Sequence, residues 1–138
     1  MKKWILFLVI TGFLLASCSV IDNNPNTAAI STSNYEMISV TKLQSLMESE
    51  DFTFINVHIP LDGNIPETDL EIPYNDIQNY TEFLPKDKTE KIVIYCRSGS
   101  MGDVAAAELV HMGYSDVTNL EGGYIAWRAA GLPFEEME

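Results

Sequence analysis

The sequence predicts an α/β fold with a central parallel sheet of about five strands and helices on both faces. From residue 35 onward, short runs rich in β-branched and aromatic residues alternate with helical patterns, which is typical of a parallel-sheet fold. The run Ile-Val-Ile-Tyr at 92–95 is apolar throughout and indicates a buried central strand. We therefore expect one domain that buries its core without disulfide bonds.

Within this domain the elements can be placed in order. Strands are expected at 37–40, 52–57, 92–95 and 117–120, and helices at 41–49, about 75–83, 102–112 and 123–130. Thr41 is expected to cap the first helix, with Gln44 three residues later as in a capping box, and Gly113 to end the third helix. Residues 58–71 are rich in proline, glycine and polar side chains, so a loop is expected there.

The first 34 residues are predicted to lie outside the domain. Lys2 and Lys3 precede an almost wholly apolar run at 4–15, which is too short to span a bilayer and is typical of a signal peptide. The run ends in Leu-Ala-Ser-Cys at 15–18, which resembles the bacterial lipobox. This resemblance implies that residues 1–17 are removed and that Cys18 carries the lipid, the alternative being an ordinary signal peptide with an incidental cysteine.

Residues 18–34 are then expected to be a flexible tether, because they are rich in Asn, Thr, Ser and Ala without sustained periodicity. Residues 35–138 would form the domain. The expected location is extracytoplasmic, at a bacterial membrane, on its periplasmic or outer cell-surface side.

The charge balance disfavours two classes of partner. The chain has 8 basic and 20 acidic side chains, and removal of residues 1–17 takes away only basic ones. Such acidity disfavours nucleic acid and any electrostatic attraction to anionic lipid. The membrane is therefore expected to be a partner through the lipid anchor only.

A cysteine, Cys96, directly follows the apolar run at 92–95. The carboxyl end of a central strand is where open α/β sheets place their sites. The next six residues, which include two glycines and two serines, are Arg97, Ser98, Gly99, Ser100, Met101 and Gly102. Backbone N–H groups of such a loop can face the sulfur and favour a thiolate over a thiol. Cys96 is thus predicted to be a nucleophile, the alternative being a small buried core residue.

The other cysteine, Cys18, is assigned to the lipid, which leaves Cys96 without an intramolecular partner. A lone thiol outside the cytoplasm suggests reactivity, and it cannot work as a Cys-x-x-Cys redox pair. No cluster of His, Cys, Asp and Glu has the spacing of metal ligands, and no glycine fingerprint for nucleotides is present. No metal or other cofactor is therefore expected.

Five segments carry a family resemblance. They are Leu-Pro-Lys-Asp-Lys at 84–88, Ile-Val-Ile-Tyr-Cys-Arg-Ser-Gly at 92–99, Gly-Tyr at 113–114, Leu-Glu-Gly-Gly-Tyr-Ile-Ala-Trp at 120–127 and Ala-Gly-Leu-Pro at 130–133. Together they resemble a single-domain rhodanese. The resemblance implies a sulfurtransferase in which Cys96 takes a sulfane sulfur from a small donor such as thiosulfate, holds it as a persulfide and passes it to a thiol or cyanide. We expect the protein to act as a monomer.

The loop departs from the family pattern at Met101, Gly102 and the following Asp103. Many active rhodaneses have Arg or another polar residue at the first of these positions, followed by Ser-Ala. Met101 lacks the cation that would help to bind an anionic donor, so a low-molecular-weight persulfide gains weight against thiosulfate. Arg97 is the only cation within the loop, and it either faces the substrate or is a solvated or structural arginine.

Asn56 and His58 stand where the family usually has Asp-Val-Arg. His58 is a candidate accessory residue, because imidazole titrates near neutral pH and could be a proton partner of the cysteine. The alternative for His58 is hydrogen-bonded support at the end of a strand. Asn56 is also a candidate accessory residue, because it occupies the other changed position of this motif.

Two other function classes stay open. The changes at Asn56, His58 and the loop also suit a catalytically weak rhodanese-like module that senses sulfur species or docks a partner. A cysteine phosphatase or arsenate reductase ranks last. The rhodanese-like versions of these enzymes use a longer loop ending in Arg, and neither Met101 nor Gly102 is Arg.

Overall fold

The computed structural model describes residues 34–137. The signal peptide predicted at 1–17, the lipid-attachment residue Cys18 and nearly all of the tether predicted at 18–34 lie outside these residues and stay predictions. The strands are β1 (Glu36–Ile38), β2 (Thr53–Asn56), β3 (Gly63–Asn64), β4 (Leu70–Glu71), β5 (Ile92–Tyr95), β6 (Val117–Leu120) and β7 (Glu135–Glu136). The helices are α1 (Val40–Ser49), α2 (Ser100–His111) and α3 (Gly123–Ala129), with a 3₁₀ turn at Ile77–Tyr80.

None of the helices in the described range is long and apolar enough to cross a membrane.

Five strands form one parallel sheet in the order β1-β6-β5-β2-β4, and β3 pairs antiparallel with β7 beside it. This confirms the predicted fold class. Because β5 lies between β2 and β6, the residues that follow these three strands meet at one edge of the sheet. Cys96 and His58 both lie at this edge, after β5 and β2 respectively.

Side chains of β5 alternate between two hydrophobic cores, one on each face of the sheet. Ile92, Ile94 and Cys96 belong to the core that contains the inner face of α2. Val93 and Tyr95 belong to the opposite core, together with buried residues of α1 and α3. The prediction of helices on both faces is therefore confirmed, and β5 is buried on both sides.

Three local predictions are wrong or incomplete. The cap of α1 is Ser39, whose side chain accepts the N–H of Lys42 at 3.3 Å, whereas Thr41 lies inside the helix. The helix expected at about 75–83 is only the 3₁₀ turn at Ile77–Tyr80. The segment expected to be a loop contains β3, which pairs with β7, and β4, which pairs with β2 and completes the sheet. The C-terminal cap by Gly113 is confirmed, since its N–H donates to Val110 O and the N–H of Tyr114 to Leu109 O.

Candidate active site

The sulfur of Cys96 lies in a cradle of backbone donors. The N–H of Gly99 donates to Sγ at 3.1 Å and the N–H of Gly102 at 3.4 Å. Gly102 lies in the first turn of α2, so its N–H is one of those that the helix itself leaves unpaired. Only 1% of Cys96 is exposed, so its sulfur lies almost wholly out of contact with solvent.

The start of α3 is hydrogen-bonded to the backbone of this cradle. The N–H of Tyr124 donates to Cys96 O at 2.9 Å, and the N–H of Ile125 donates to Arg97 O at 3.1 Å. These contacts bring Gly123 so close that an added Cβ would lie 2.6 Å from the carbonyl carbon of Arg97 and closer still to Cys96 O. Its φ is +57°, which L side chains rarely adopt. Gly123, the second glycine of the 120–127 segment, therefore lets α3 pack directly against the backbone of Cys96 and Arg97.

The remaining loop residues face different surroundings. Arg97, Ser98 and Ser100 are exposed, and Met101 is half-buried. Arg97 forms no ion pair within residues 34–137, although its charge helps to lower the pKa of Asp62. Arg97 therefore lies exposed at the rim of the site, a position that fits both alternatives, a contact with substrate and a solvated side chain.

Asn56 is a support of the neighbouring loop. It is 1% exposed, and its Nδ2 donates to Gly63 O and to Asn64 Oδ1, both at 2.9 Å. Its Oδ1 accepts the N–H of His58 at 3.0 Å. With all these groups engaged, Asn56 fixes the course of the chain between β2 and β3 and makes no hydrogen bond to Cys96 in the described structure.

His58 contacts the loop through Met101. The Nδ1 atom lies 3.3 Å from Met101 Sδ, and Nε2 lies 3.3 Å from Asp62 Oδ2. Two of the positions at which the chain departs from the family pattern, 58 and 101, therefore touch each other. No hydrogen bond joins His58 to Cys96 among the described residues; its ring nitrogens contact Met101 and Asp62 instead.

Asp62 and Tyr124 form a fixed pair beside His58. The Tyr124 hydroxyl donates to Asp62 Oδ2, and this bond lowers the pKa of the carboxyl, with further lowering by His58 and Arg97. Burial, and then the same carboxylate, raises the pKa of Tyr124 to about 12. The stabilisation from Asp62 is present above its unfolded pKa and is lost as pH falls through the lowered value. The stabilisation from Tyr124 is present below about pH 10 and is lost as pH rises towards about 12.

A cavity of about 230 Å³ opens beside His58. Apart from His58, Asn56 and Glu71 it is lined by apolar and aromatic side chains, which are Ile59, Leu61, Ile72, Pro73 and Tyr80. An organic group can be bound there, and no lysine or arginine lies on these walls.

Asn119 and the Asp62–Tyr124 pair were not singled out from the sequence. Asn119 is 0% exposed and lies in β6, and its Nδ2 donates to Gly99 O at 3.1 Å and to Asp103 Oδ1 at 3.0 Å. A signal was available for it, since an amide within a short strand that is otherwise expected to be buried needs a partner. For Asp62 and Tyr124, 62 residues apart, no comparable local signal exists.

Comparison with known proteins identifies the family. Residues 35–130 match the rhodanese-like domain family. A protein named sulfurtransferase from Allochromatium vinosum is 39% identical over 101 residues, which are 71% of this chain and 92% of that protein. Thiosulfate sulfurtransferase GlpE from Pseudoalteromonas translucida is 28% identical over 99 residues, covering 70% of this chain and 91% of that protein. The solution structure of a rhodanese-like domain from Anabaena has a TM-score of 0.65 at 25% identity, covering 73% of this chain and 79% of that domain.

The fold and the site define an α/β domain in which a buried free cysteine is held by backbone donors at the carboxyl edge of a parallel sheet. The chain belongs to the rhodanese family. The predicted enzyme class, a rhodanese-type sulfurtransferase, is confirmed at this level by the family match and the sulfurtransferase relatives.

Proposed function

We propose that the protein transfers a sulfane sulfur through a persulfide on Cys96. The Cys96 thiolate attacks the outer sulfur of a donor R–S–SH, the donor S–S bond breaks, and R–S⁻ leaves with the bonding electrons. An acceptor thiolate or cyanide then attacks the terminal sulfur of the persulfide, and Cys96 regains its thiolate. The sulfur atom moves between thiol groups without an external oxidant or reductant, and one cysteine is sufficient.

The observation that carries this proposal is the pair of N–H donors at Sγ, from Gly99 at 3.1 Å and from Gly102 at 3.4 Å. Both the attacking thiolate and the leaving thiolate of the second step are anions on the same sulfur. Preorganised backbone donors stabilise such charge without having to reorient during the reaction. A buried cysteine with a purely structural role would not require them.

The surroundings of the cradle favour an organic persulfide over thiosulfate as donor. Met101 brings a thioether to the loop, Asp62 contacts the His58 ring that touches Met101, and Asp103 contacts the Asn119 amide that holds Gly99. Thiosulfate carries two negative charges next to its outer sulfur, whereas an organic persulfide carries at most one there. The apolar cavity beside His58 can take the organic part of such a donor or of a thiol acceptor.

Replacement of Met101 by arginine tests this preference. We expect wild-type protein to have a kcat/KM for glutathione persulfide at least about tenfold above that for thiosulfate. Met101→Arg is expected to raise kcat/KM for thiosulfate about tenfold, because a guanidinium forms charge-assisted hydrogen bonds to the anion. Met101→Leu keeps an uncharged side chain of similar size and is the matched control, expected to lack this gain. Steady-state rates with both donors and cyanide as acceptor provide the measurement.

A wild-type protein that prefers thiosulfate, and gains nothing from Met101→Arg, would contradict the donor assignment. If no donor supplies sulfur to Cys96 although the thiol can be alkylated, the alternative of a sensing or docking module is supported instead.

We also propose that the reaction takes place at the extracytoplasmic face of a bacterial membrane, to which lipid on Cys18 attaches the domain. The basic, apolar and Leu-Ala-Ser-Cys segments of residues 1–18 support this. Two or more acyl chains give stable anchoring where one does not. A Cys18→Ala protein is expected to leave the membrane fraction after cell lysis, and one that stays there fully would contradict the anchor.

A further inference from the structure

Asn119 reaches from β6 into the loop that holds Cys96. Its side chain is 0% exposed, and its Nδ2 donates to both Gly99 O at 3.1 Å and Asp103 Oδ1 at 3.0 Å. Its Oδ1 has no hydrogen-bond partner in the described part of the chain. That oxygen faces Gly102, where an added Cβ would lie 2.7 Å from Asn119 Cγ and closer still to Oδ1.

The two glycines that Asn119 touches are the same two whose N–H groups donate to Cys96 Sγ. The Asn119 side chain donates a hydrogen bond to the carbonyl oxygen of Gly99 and fills the space beside the α-carbon of Gly102. We infer that Asn119 is a positioning residue for sulfur transfer, which aims the N–H groups of Gly99 and Gly102 at the sulfur. This inference rests on the proposed function, in which those N–H groups stabilise the thiolate.

Gly99 and Asp103 together determine which way the amide of Asn119 points. Gly99 O and Asp103 Oδ1 are both acceptors, so the NH₂ group of Asn119 faces them and its oxygen is left to face Gly102. The Tyr35 hydroxyl also donates to Asp103 Oδ1, at 3.0 Å. Gly102 and Asp103, two departures from the family pattern, thus belong to one network with Asn119. A serine at 102, as the family pattern has it, would meet the Asn119 side chain.

An Asn119→Asp protein tests the positioning role with little change of shape. A carboxylate opposite Gly99 O and Asp103 has no donor to offer, so the loop is expected to shift away from it. We expect kcat with glutathione persulfide to fall by about 10- to 100-fold, the range for loss of part of a preorganised donor set, while KM changes less than about threefold. Thr118→Val alters the adjacent buried residue, whose side chain alternates to the other face of β6, and is expected to keep kcat within about twofold.

Two further measurements separate positioning from general stability. The rate at which iodoacetamide alkylates Cys96 at pH 7 reports the thiolate directly and is expected to fall in Asn119→Asp but not in Thr118→Val. Adding Asp103→Asn to the Asn119→Asp protein restores a donor between the two side chains, and part of the lost kcat should return.

The close contact can be tested even if Asn119→Asp fails to fold. Gly102→Ala is expected to lower the midpoint of urea unfolding in the wild-type background, and to lower it much less in an Asn119→Ala background, where the added methyl has room. Equal losses in both backgrounds would overturn the inference. So would a folded Asn119→Asp protein with wild-type kcat and alkylation rate.

Failure of the proposed function gives a different pattern. In that pattern wild-type protein transfers no sulfur, while Asn119→Asp still slows alkylation and the stability loss from Gly102→Ala still depends on the residue at 119. The transfer proposal then falls, and the positioning of the two N–H groups by Asn119 stands.

Discussion

Replacement of Cys96 by serine is expected to reduce sulfur transfer at least about 1,000-fold with either donor, because a hydroxyl is neither ionised near neutral pH nor able to form a persulfide. The fold is expected to survive, since the serine oxygen can accept the same N–H groups of Gly99 and Gly102. The free energy of unfolding should change by no more than about 1 kcal/mol. Initial rates and urea unfolding of the same preparation measure both effects.

A Cys96→Ser protein that is fully folded and retains a tenth or more of the wild-type rate would contradict the assignment of Cys96 as nucleophile. A variant that loses activity only because it unfolds would show a lowered urea midpoint, which separates the two cases.

Replacement of Gly123 by alanine is expected to destabilise the domain by about 3 kcal/mol or more. The new Cβ would meet Cys96 O and lie 2.6 Å from the carbonyl carbon of Arg97, so the start of α3 has to move away. That movement breaks the hydrogen bond from Tyr124 N to Cys96 O and the one from Ile125 N to Arg97 O. Because these bonds support the cradle, the transfer rate of the remaining folded protein should fall as well.

Gly131→Ala is the matched control for this prediction. Gly131 also has a positive φ, +76°, but an added Cβ there meets nothing within 4 Å. Only the strain of the left-handed backbone then remains, about 1–2 kcal/mol. If urea unfolding shows equal losses for the two variants, close packing of α3 against the loop is not what Gly123 provides.

The centre of the fold could be predicted because its signals are local. An apolar run, a cysteine, a glycine- and serine-rich loop and an Ala-rich segment follow one another at 92–106, and they form β5, the cradle and α2 as expected. The elements that were missed have weak local patterns. Leu70–Glu71 becomes a strand only because it pairs with β2, and one apolar residue alone, Ile77, is buried in the 3₁₀ turn that replaces the expected helix.

The site residues divide in the same way. The donors at 99 and 102 follow from the loop's own sequence, whereas the contact of His58 with Met101 joins residues 43 positions apart. The hydrogen bond from Asn119 to Gly99 depends on the order of strands in the sheet, since β6 lies next to β5. Pairings of this kind are set by topology, and the pattern of one segment does not contain them.

The most direct test is the intact mass of the protein after incubation with glutathione persulfide. Wild-type protein is expected to gain the mass of one sulfur atom, to lose it on reduction or on addition of cyanide, and to show no gain once Cys96 is replaced by serine. An unchanged wild-type mass with every donor, or an equal gain on Cys96→Ser, would contradict sulfur transfer through Cys96.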